Sequence, residues 1–453
     1  MSKKIYSASE LNINHLMLDK DAYLVISELQ RNHFHAYVVG GGVRDLLLNV
    51  KPKDFDIVTN ATPEQVRRIF GRNSMIIGRR FKIVHVYFRR INQQRSDKFD
   101  KDIFERHVLE VSTFRSNKVY DDSLSQHGRI LVDNNYGSMD EDAFRRDFTV
   151  NALYYDPIAE KIIDYHNGIA DIKNRILRII GKPQERYIED PVRILRAIRL
   201  SEKLALTIDD NTCIPFRSTK HLLANEPRGR LFEEMIKILM SGSSKKVISE
   251  LHELKLPRKV FPLLDQLFFH AQDDFALRVL ERTDDRVSGG EQVSLIFIFA
   301  ALAWQAVYQS WTEQLALFGG SRKQALLDAI AQNKHLLINN GVTQNMYSAI
   351  REIWLSQLEF EQPNLRDFER LITSSRFRQG WHLFTLRNEF GQIDKNMFMW
   401  WDKFVSAEGE DKTELLIELV DMIPHHEPEK KRKRRKKRKN KHKHSHDKFQ
   451  EQN

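Results

Sequence analysis

The sequence predicts an α+β protein: a small mixed sheet early in the chain, an all-helical remainder, and a disordered basic tail. Three observations predict this. Runs rich in β-branched and aromatic residues, bounded by turn signals, are confined to the region before about residue 165. From about residue 172 onward helical periodicity takes over. Lys430 to Lys443 then places twelve Lys or Arg in fourteen positions, a run that cannot fold on itself. A chain of 453 residues is long enough for more than one core. The expected division is a leader over 1–34, a mixed-sheet domain over 35–165, a helical segment over 166–240, a helical body over 241–425 and a tail over 426–453.

In chain order, the leader ends in a helix whose apolar face is read as Leu24, Ile26 and Leu29. Tyr37 to Val39 is a strand, followed by three glycines, a short helix from Val43 to Leu48, and a second strand carrying Asp54 and Asp56. Thr62, Pro63 and Gln65 form a helix start, with Thr as cap, Pro in first position and Gln three after the cap; the helix turns Val66 and Ile69 inward. Ser74 to Ile77, Ile83 to Phe88 and Val108 to Phe114 read as strands, with the charged stretch 91–107 as an exposed loop. Ala152 to Asp156 and Lys161 to Asp164 close the sheet. The helices beyond bury Leu231, Met235, Ile238 and Leu239, then Val247, Leu251 and Leu254, then the apolar segment 295–311.

Charge and composition narrow the function classes. Subtracting the twelve charges of the basic run from the net +10 leaves the rest of the chain at −2, so basicity is a property of the tail and of local patches. Such a tail suits RNA or another polyanion. The single cysteine, Cys213, excludes an intramolecular disulfide and a multi-cysteine zinc site. The N-terminus has no apolar core for a signal peptide, and Leu295 to Trp304 is too short to span a bilayer. A cytoplasmic protein is the expectation, and nothing demands more than a monomer. His442, His444 and His446 alternate within the basic run and read as incidental to it rather than as metal ligands.

The chemistry concentrates early in the chain. Side chains alternate faces along a strand, so Asp54 and Asp56 point one way, about 7 Å apart, while Phe55 and Ile57 point into the core. Two such carboxylates are a seat for Mg²⁺, a hard cation that keeps positions open for phosphate oxygens. Gly40 and Gly41 let backbone N–H groups approach a phosphate, with a helix start behind them. Glu110 lies in the apolar run Val108 to Val111 and faces opposite to Leu109 and Val111, which fits it to join the aspartates as a third acid. In RRDFTVNAL (145–153), Arg145 and Arg146 are forked donors for phosphate, Asp147 is another acid, and Asn151 can bond a sugar hydroxyl. Asp190 caps a helix with Pro191 in first position, and Arg193, Arg196 and Arg199 recur as a basic stripe. Between 366 and 387, arginines interleave with Phe368, Phe377, Trp381 and Phe384, a mixture that suits either a single-strand track or a helix core with a basic face.

Taken in order, GGGVRDLLL…KDFDIVT, RRDFTVNAL, DYHNGIADIKNRILRIIG and EDPVRILRAIRL resemble the class II nucleotidyltransferases, the family of bacterial poly(A) polymerases and tRNA CCA-adding enzymes, over residues 36 to 240. IIGRRFKIVHVYF (76–88) and PRGRLFEEMIKIL (227–239) resemble the poly(A) polymerase branch, since the CCA-adding pattern has Gly-Thr after the equivalent of Phe81. The resemblance implies a polymerase β-like head followed by a helical neck and body, acting on ATP and RNA 3′ ends. It implies that Gly40, Gly41, Arg44 and Asp45 hold the triphosphate and that Asp54 and Asp56 bind two Mg²⁺ ions. Glu110 or Asp147 would supply the third catalytic carboxylate. Arg146, Asp147 and Asn151 would contact ribose and phosphates, and Asp190, Arg193 and Arg196 the base. CCA addition, or RNA binding without catalysis, are the alternatives.

Overall fold

The computed structural model describes residues 3–78, 82–91, 104–116, 135–257, 260–261, 274–339 and 341–422. The basic run with its histidines, the charged stretch 92–103 and Phe81 lie outside them. The head is one eight-stranded sheet built from β1 (Lys4–Ser7), β2 (Ala36–Val39), β3 (Asp56–Thr59), β4 (Ser74–Ile77), β5 (Ile83–Ile91), β6 (Phe104–Thr113), β7 (Leu153–Asp156) and β8 (Lys161–Asp164). Their order is β1-β8-β7-β2-β3-β6-β5-β4. Every neighbouring pair is antiparallel except β3 and β6, which run parallel with Ile57 beside Val111.

Four sequence expectations shift here. The first 34 residues are no separate leader: β1 pairs with β8 at the sheet edge. The helix α1 (Lys20–Arg31) buries Ala22, Val25, Ile26 and Leu29 in the main core. That stripe is the helical repeat, and it leaves Leu24 outside it, 55 % exposed. The second strand starts at Asp56, so Asp54 belongs to the loop before it. The stretch 91–107 is partly strand, because β5 and β6 pair as far out as Ile91 and Phe104. Arg90 and His107 are anchored there by the acids of α1's first turn: Arg90 bonds Asp19 and Asp21, and His107 Nδ1 lies 2.7 Å from Asp21.

Local signals held where they were local. The helix α2 (Gly41–Leu47) follows the glycine turn, and α3 (Pro63–Phe70) opens with a complete capping box between Thr62 and Gln65. α4 (Met139–Arg145) is capped the same way by Ser138 and Glu141. One sheet face packs Val38, Ile57, Val84, Val86, Leu109 and Val111 into the main core, while the other carries a smaller cluster of Val39, Val58, Phe114, Ala143, Tyr154 and Ile163 beneath α4.

Beyond β8 come α5 (Gly168–Lys173), α6 (Pro183–Glu189) and α7 (Val192–Leu204), then helices from Arg228–Leu239 to Glu410–Met422. The main core runs without a break from Ala8 to Leu386. A second core gathers Phe360, Phe368, Phe384, Trp400, Trp401 and Phe404, with Phe377 and Trp381 against it. The rings interleaved with arginines between 366 and 387 are therefore core. Arg387 itself is fully buried, paired with Glu361 and lying 4.6 Å over the Trp304 ring. Among the described residues no single helix is long and apolar enough to cross a membrane. The bent pair Leu295–Leu302 and Trp304–Phe318 meets the length and composition test, and its residues Ile298 to Trp304 are buried core.

Candidate active site

Strand register assembles the acids. With Ile57 beside Val111 in the parallel pair, the preceding residues Asp56 and Glu110 are neighbours on the opposite face. Glu110 lies across from His85 in the antiparallel pair, with Nε2 and Oε1 3.5 Å apart. Asp56, Glu110 and His85 thus form a row across three adjacent strands. Phe55 and Ile57 point inward, as the alternation predicts, and Asp54 stays exposed just before the strand. Crowding by protein, then the Glu110 and Asp54 carboxylates, push the Asp56 carboxyl above the ordinary range, although its outer edge is open to solvent. Like charges gathered this way are relieved by a cation. Among the described residues the one trio whose ligand atoms all lie within 4.8 Å of one another is elsewhere: Asp19, Asp21 and His107, already charge-balanced by Arg90. The Asp54, Asp56 and Glu110 set is looser, as suits a metal that shares its ligands with phosphate.

The glycine turn closes on this row. Gly40 has φ +75°, a conformation side chains resist, and a Cβ there would stand 3.6 Å from Arg146 Nη1 and 3.8 Å from Asp56 Oδ2. Backbone, guanidinium and carboxylate therefore meet at one point. Arg146 is aimed by two residues that sequence reasoning missed. Asp142 accepts from Nε and Nη2 at 3.2 and 2.9 Å, and the Tyr154 hydroxyl accepts from Nε at 3.1 Å while donating to Asp142 at 2.8 Å. Burial opposes the charge on Arg146, but Asp142 and Tyr154 together outweigh it and raise the guanidinium's affinity for its proton. The signal for Asp142 was present: an acid four residues before an arginine on a helix. Tyr154 and His85 needed the sheet register.

The remaining predicted residues form a buried frame. Arg44 donates to Asp45 Oδ1, with Nε at 2.8 Å, and its Nη1 donates to Asn151 Oδ1 at 2.7 Å. Asn151 Nδ2 donates to Asp147 Oδ1 at 3.0 Å, and Arg196 Nε to Asp147 Oδ2 at 2.9 Å. This chain ties α2 to α7. Asp147 also accepts from the Phe148 N–H at 2.8 Å. Burial alone would raise its carboxyl, but Arg196, Asn151 and that N–H hold it far below the ordinary range. Arg193 is buried, donating to Glu189 and the Arg186 carbonyl. Asp190 accepts from Val192 N–H at 3.2 Å just ahead of α7, whose N-cap is Pro191 and not Asp190 as expected, while its other oxygen takes Arg230 at 2.7 Å. Arg199 bonds the buried Glu234 at 2.6 Å. The basic stripe is internal, because each of its arginines meets an acid contributed by the fold. In this conformation Arg44, Asp45, Asn151, Asp190, Arg193 and Arg196 are bonded to protein, whereas Asp54, Asp56, Glu110 and Arg146 line open space and Gly40 and Gly41 pack behind them.

Two hollows flank the acid row. One, about 300 Å³, is lined by Val39, Ser112, Arg115, Asp142, Arg145 and Arg146. The other, about 1090 Å³, lies where β3 stops and β6 continues, and is lined by Lys51, Lys53, Asp54, His85, Arg90 and His107 among others. Asp56 and Glu110 line both.

Acids on a divide between an arginine-lined hollow and a second, wider one suit transfer of a nucleotidyl group between two substrates. The fold agrees: the solved structure of the Bacillus stearothermophilus CCA-adding enzyme in complex with CTP superposes with a TM-score of 0.55 at 23 % identity, covering 89 % of this chain and 87 % of that one. The poly A polymerase head domain family matches residues 36–178, the probable RNA and SrmB-binding site of polymerase A residues 205–268, and the polymerase A arginine-rich C-terminus residues 319–440. A CCA-adding enzyme of Lactobacillus helveticus is 33 % identical over 52 % of this chain and 54 % of its own. Poly(A) polymerase I of Haemophilus influenzae is 36 % identical over 95 % of this chain and 93 % of its own. The protein is a nucleotidyltransferase. More particularly, the chain belongs to the bacterial poly(A) polymerase I family.

Proposed function

We propose that the chain adds AMP from ATP to RNA 3′ ends without a template, as a cytoplasmic monomer acting in RNA processing and decay. The observation that carries the reading is the acid row lining both hollows, which lets a 3′-hydroxyl approach from one side while pyrophosphate departs toward the arginines on the other. Asp54 and Asp56 would hold two Mg²⁺ ions, which when bound neutralise phosphate charge and acidify the attacking hydroxyl. Backbone N–H groups of Gly40 and Gly41 face the phosphates, and the Arg146 fork, fixed by Asp142 and Tyr154, stabilises negative charge as the α-phosphorus is attacked. Glu110 is the third carboxylate. Asp147 is ill-suited to that role, since Arg196 and Asn151 saturate it and suppress its basicity. Its part is to hold the head against α7. Asp190, Arg193 and Arg196 lie along the start of α7, where exchange of an internal bond for a base edge would select adenine.

CCA addition is the second reading. The CCA-adding relative covers half of this chain, whereas the poly(A) polymerase relative covers nearly all of it, helical body included. The test is extension of a generic single-stranded RNA, and of a tRNA lacking its CCA end, with Mg²⁺ and one nucleoside triphosphate at a time. Long ladders with ATP on both substrates support poly(A) synthesis. Addition of C, C and A to the tRNA alone replaces it with the second reading. Asp56→Asn should abolish extension, by a thousandfold or roughly that order, while RNA still binds. Extension that survives at a tenth of the wild-type rate would remove Asp56 from the mechanism.

A further inference from the structure

The row of acids continues outward along β5 and β6 into a face that the mechanism above leaves unused. Beyond Glu110 and His85, the next rungs on the same side are Tyr87 with Val108 and then Arg89 with Arg106. β3 does not reach them, so this part of the ladder projects past the sheet beside the wider hollow. The opposite side of the same rungs is accounted for: Val84, Val86 and Leu109 are core, and Arg90 and His107 are tied to α1. The outer side is not.

Its charges are arranged in a way that folding does not explain. Arg89 and Arg106 are both exposed and directly opposed, and among the described residues neither has an acidic partner. Like charges facing each other across a rung destabilise a sheet. Arg106 instead lies over the Tyr87 ring, 3.6 Å from its centroid, which fixes the guanidinium as a plane presented to solvent. The partly buried arginines near the acids are paired, Arg90 with Asp19 and Asp21 and Arg146 with Asp142, whereas these two stand exposed beside the same acids. Two uncompensated guanidiniums, one of them backed by a ring, call for a polyanion with flat groups to stack. Successive residues on one strand face stand about 7 Å apart, so the ladder offers a row of contacts leading straight to Glu110.

We propose that this face of β5 and β6 seats the last nucleotides of the RNA 3′ end. Phosphates lie against Arg89 and Arg106, a base stacks on the Arg106 and Tyr87 pair, and His85 is the last contact before the acids. The inference rests on the reading of the chain as an RNA 3′-end polymerase and adds where the primer lies. Single-strand recognition by a basic track with stacking planes is sequence-tolerant, as a tail-adding enzyme needs.

The experiment uses the full chain, an oligo(A) primer, Mg²⁺ and ATP, with Arg89→Ala/Arg106→Ala and Arg89→Lys/Arg106→Lys compared with wild type. The alanine pair should raise KM for the primer about tenfold, and lower the salt slope of primer binding by about 1.4, the share of two single-strand phosphate contacts. KM for ATP should hold. The lysine pair should restore the salt slope but only part of the affinity, because an ammonium makes no stacking plane. An alanine pair that melts as wild type does and keeps wild-type primer KM and salt slope overturns the proposal, while wild-type extension leaves the poly(A) reading intact. A lysine pair as weak and as salt-insensitive as the alanine pair also overturns it. Wild-type protein that extends no primer refutes the underlying poly(A) reading, and this one with it.

Discussion

Asp147→Asn tests the idea that this carboxylate is a strut and not a base. The side chain is about one-tenth exposed and accepts from Arg196, Asn151 and the Phe148 N–H. Asparagine keeps the shape and one acceptor but leaves the Arg196 guanidinium without its counter-charge. Removing one partner of a buried pair costs about 3–5 kcal/mol, and because Arg196 is about one-third open to water the lower end applies, about 3 kcal/mol. For a cooperative unit the size of the main core, roughly 380 residues at about 2.1 cal/mol/K each, that is a fall of about 4 °C in the melting midpoint. Calorimetry of the two proteins measures it, and pH supplies the signature. Since the folded carboxyl lies below its unfolded value, the pair's contribution is complete above about pH 4, where the unfolded chain is also ionised. The gap between wild type and variant should therefore stay flat from pH 8 to pH 5 and narrow only as pH falls below about 4. Adding Arg196→Met should cost less than the sum of the singles, because the second change removes the stranded charge. A gap under about 1 kcal/mol, or strict additivity, would refute the strut.

Two further outcomes follow from the same geometry. Tyr154→Phe deletes the hydroxyl that bonds both Asp142 and Arg146, a loss of about 1 kcal/mol that should appear as a rise of roughly fivefold in KM for ATP, with KM for RNA held. Steady-state kinetics with each substrate varied in turn reads the split. Arg387→Ala leaves Glu361 with Arg322 as its remaining partner but empties the space beside Trp304, and should destabilise the helical half by about 3 kcal/mol, with Arg387→Met costing less because it keeps the packing against Trp304. Chemical denaturation followed by tryptophan fluorescence checks that order.

What was legible in the sequence divides along the range of the interactions concerned. The capping box of α3 is a statement about four consecutive residues, and both of its bonds formed, at 2.8 and 3.3 Å. The alternation of Asp54, Phe55, Asp56 and Ile57 is equally local, and their burial follows it. The frame is not local: Arg44 meets a partner 107 positions away, Asp147 one 49 away, and Arg90 one 69 away. Reading 91–107 as a loop from its charge alone therefore misplaced His107, whose balancing acid, Asp21, sits on α1. The same blindness left Arg193, Arg196 and Arg199 as a basic stripe without its acids. A run of arginines near an acidic site looks identical in sequence whether its partner is the fold or the substrate. Structure separates the two cases by elimination. Guanidiniums with a carboxylate in place serve the frame, as at Arg44, Arg193 and Arg196. Among the described residues beside the acids, donors still open are the Nη1 of Arg146 at the glycine turn and those of Arg89 and Arg106 on the outer ladder, and these are available to phosphate. On this argument the triphosphate and the RNA backbone are held by different arginines on opposite sides of the Asp56 and Glu110 ridge, and their kinetic effects should separate accordingly.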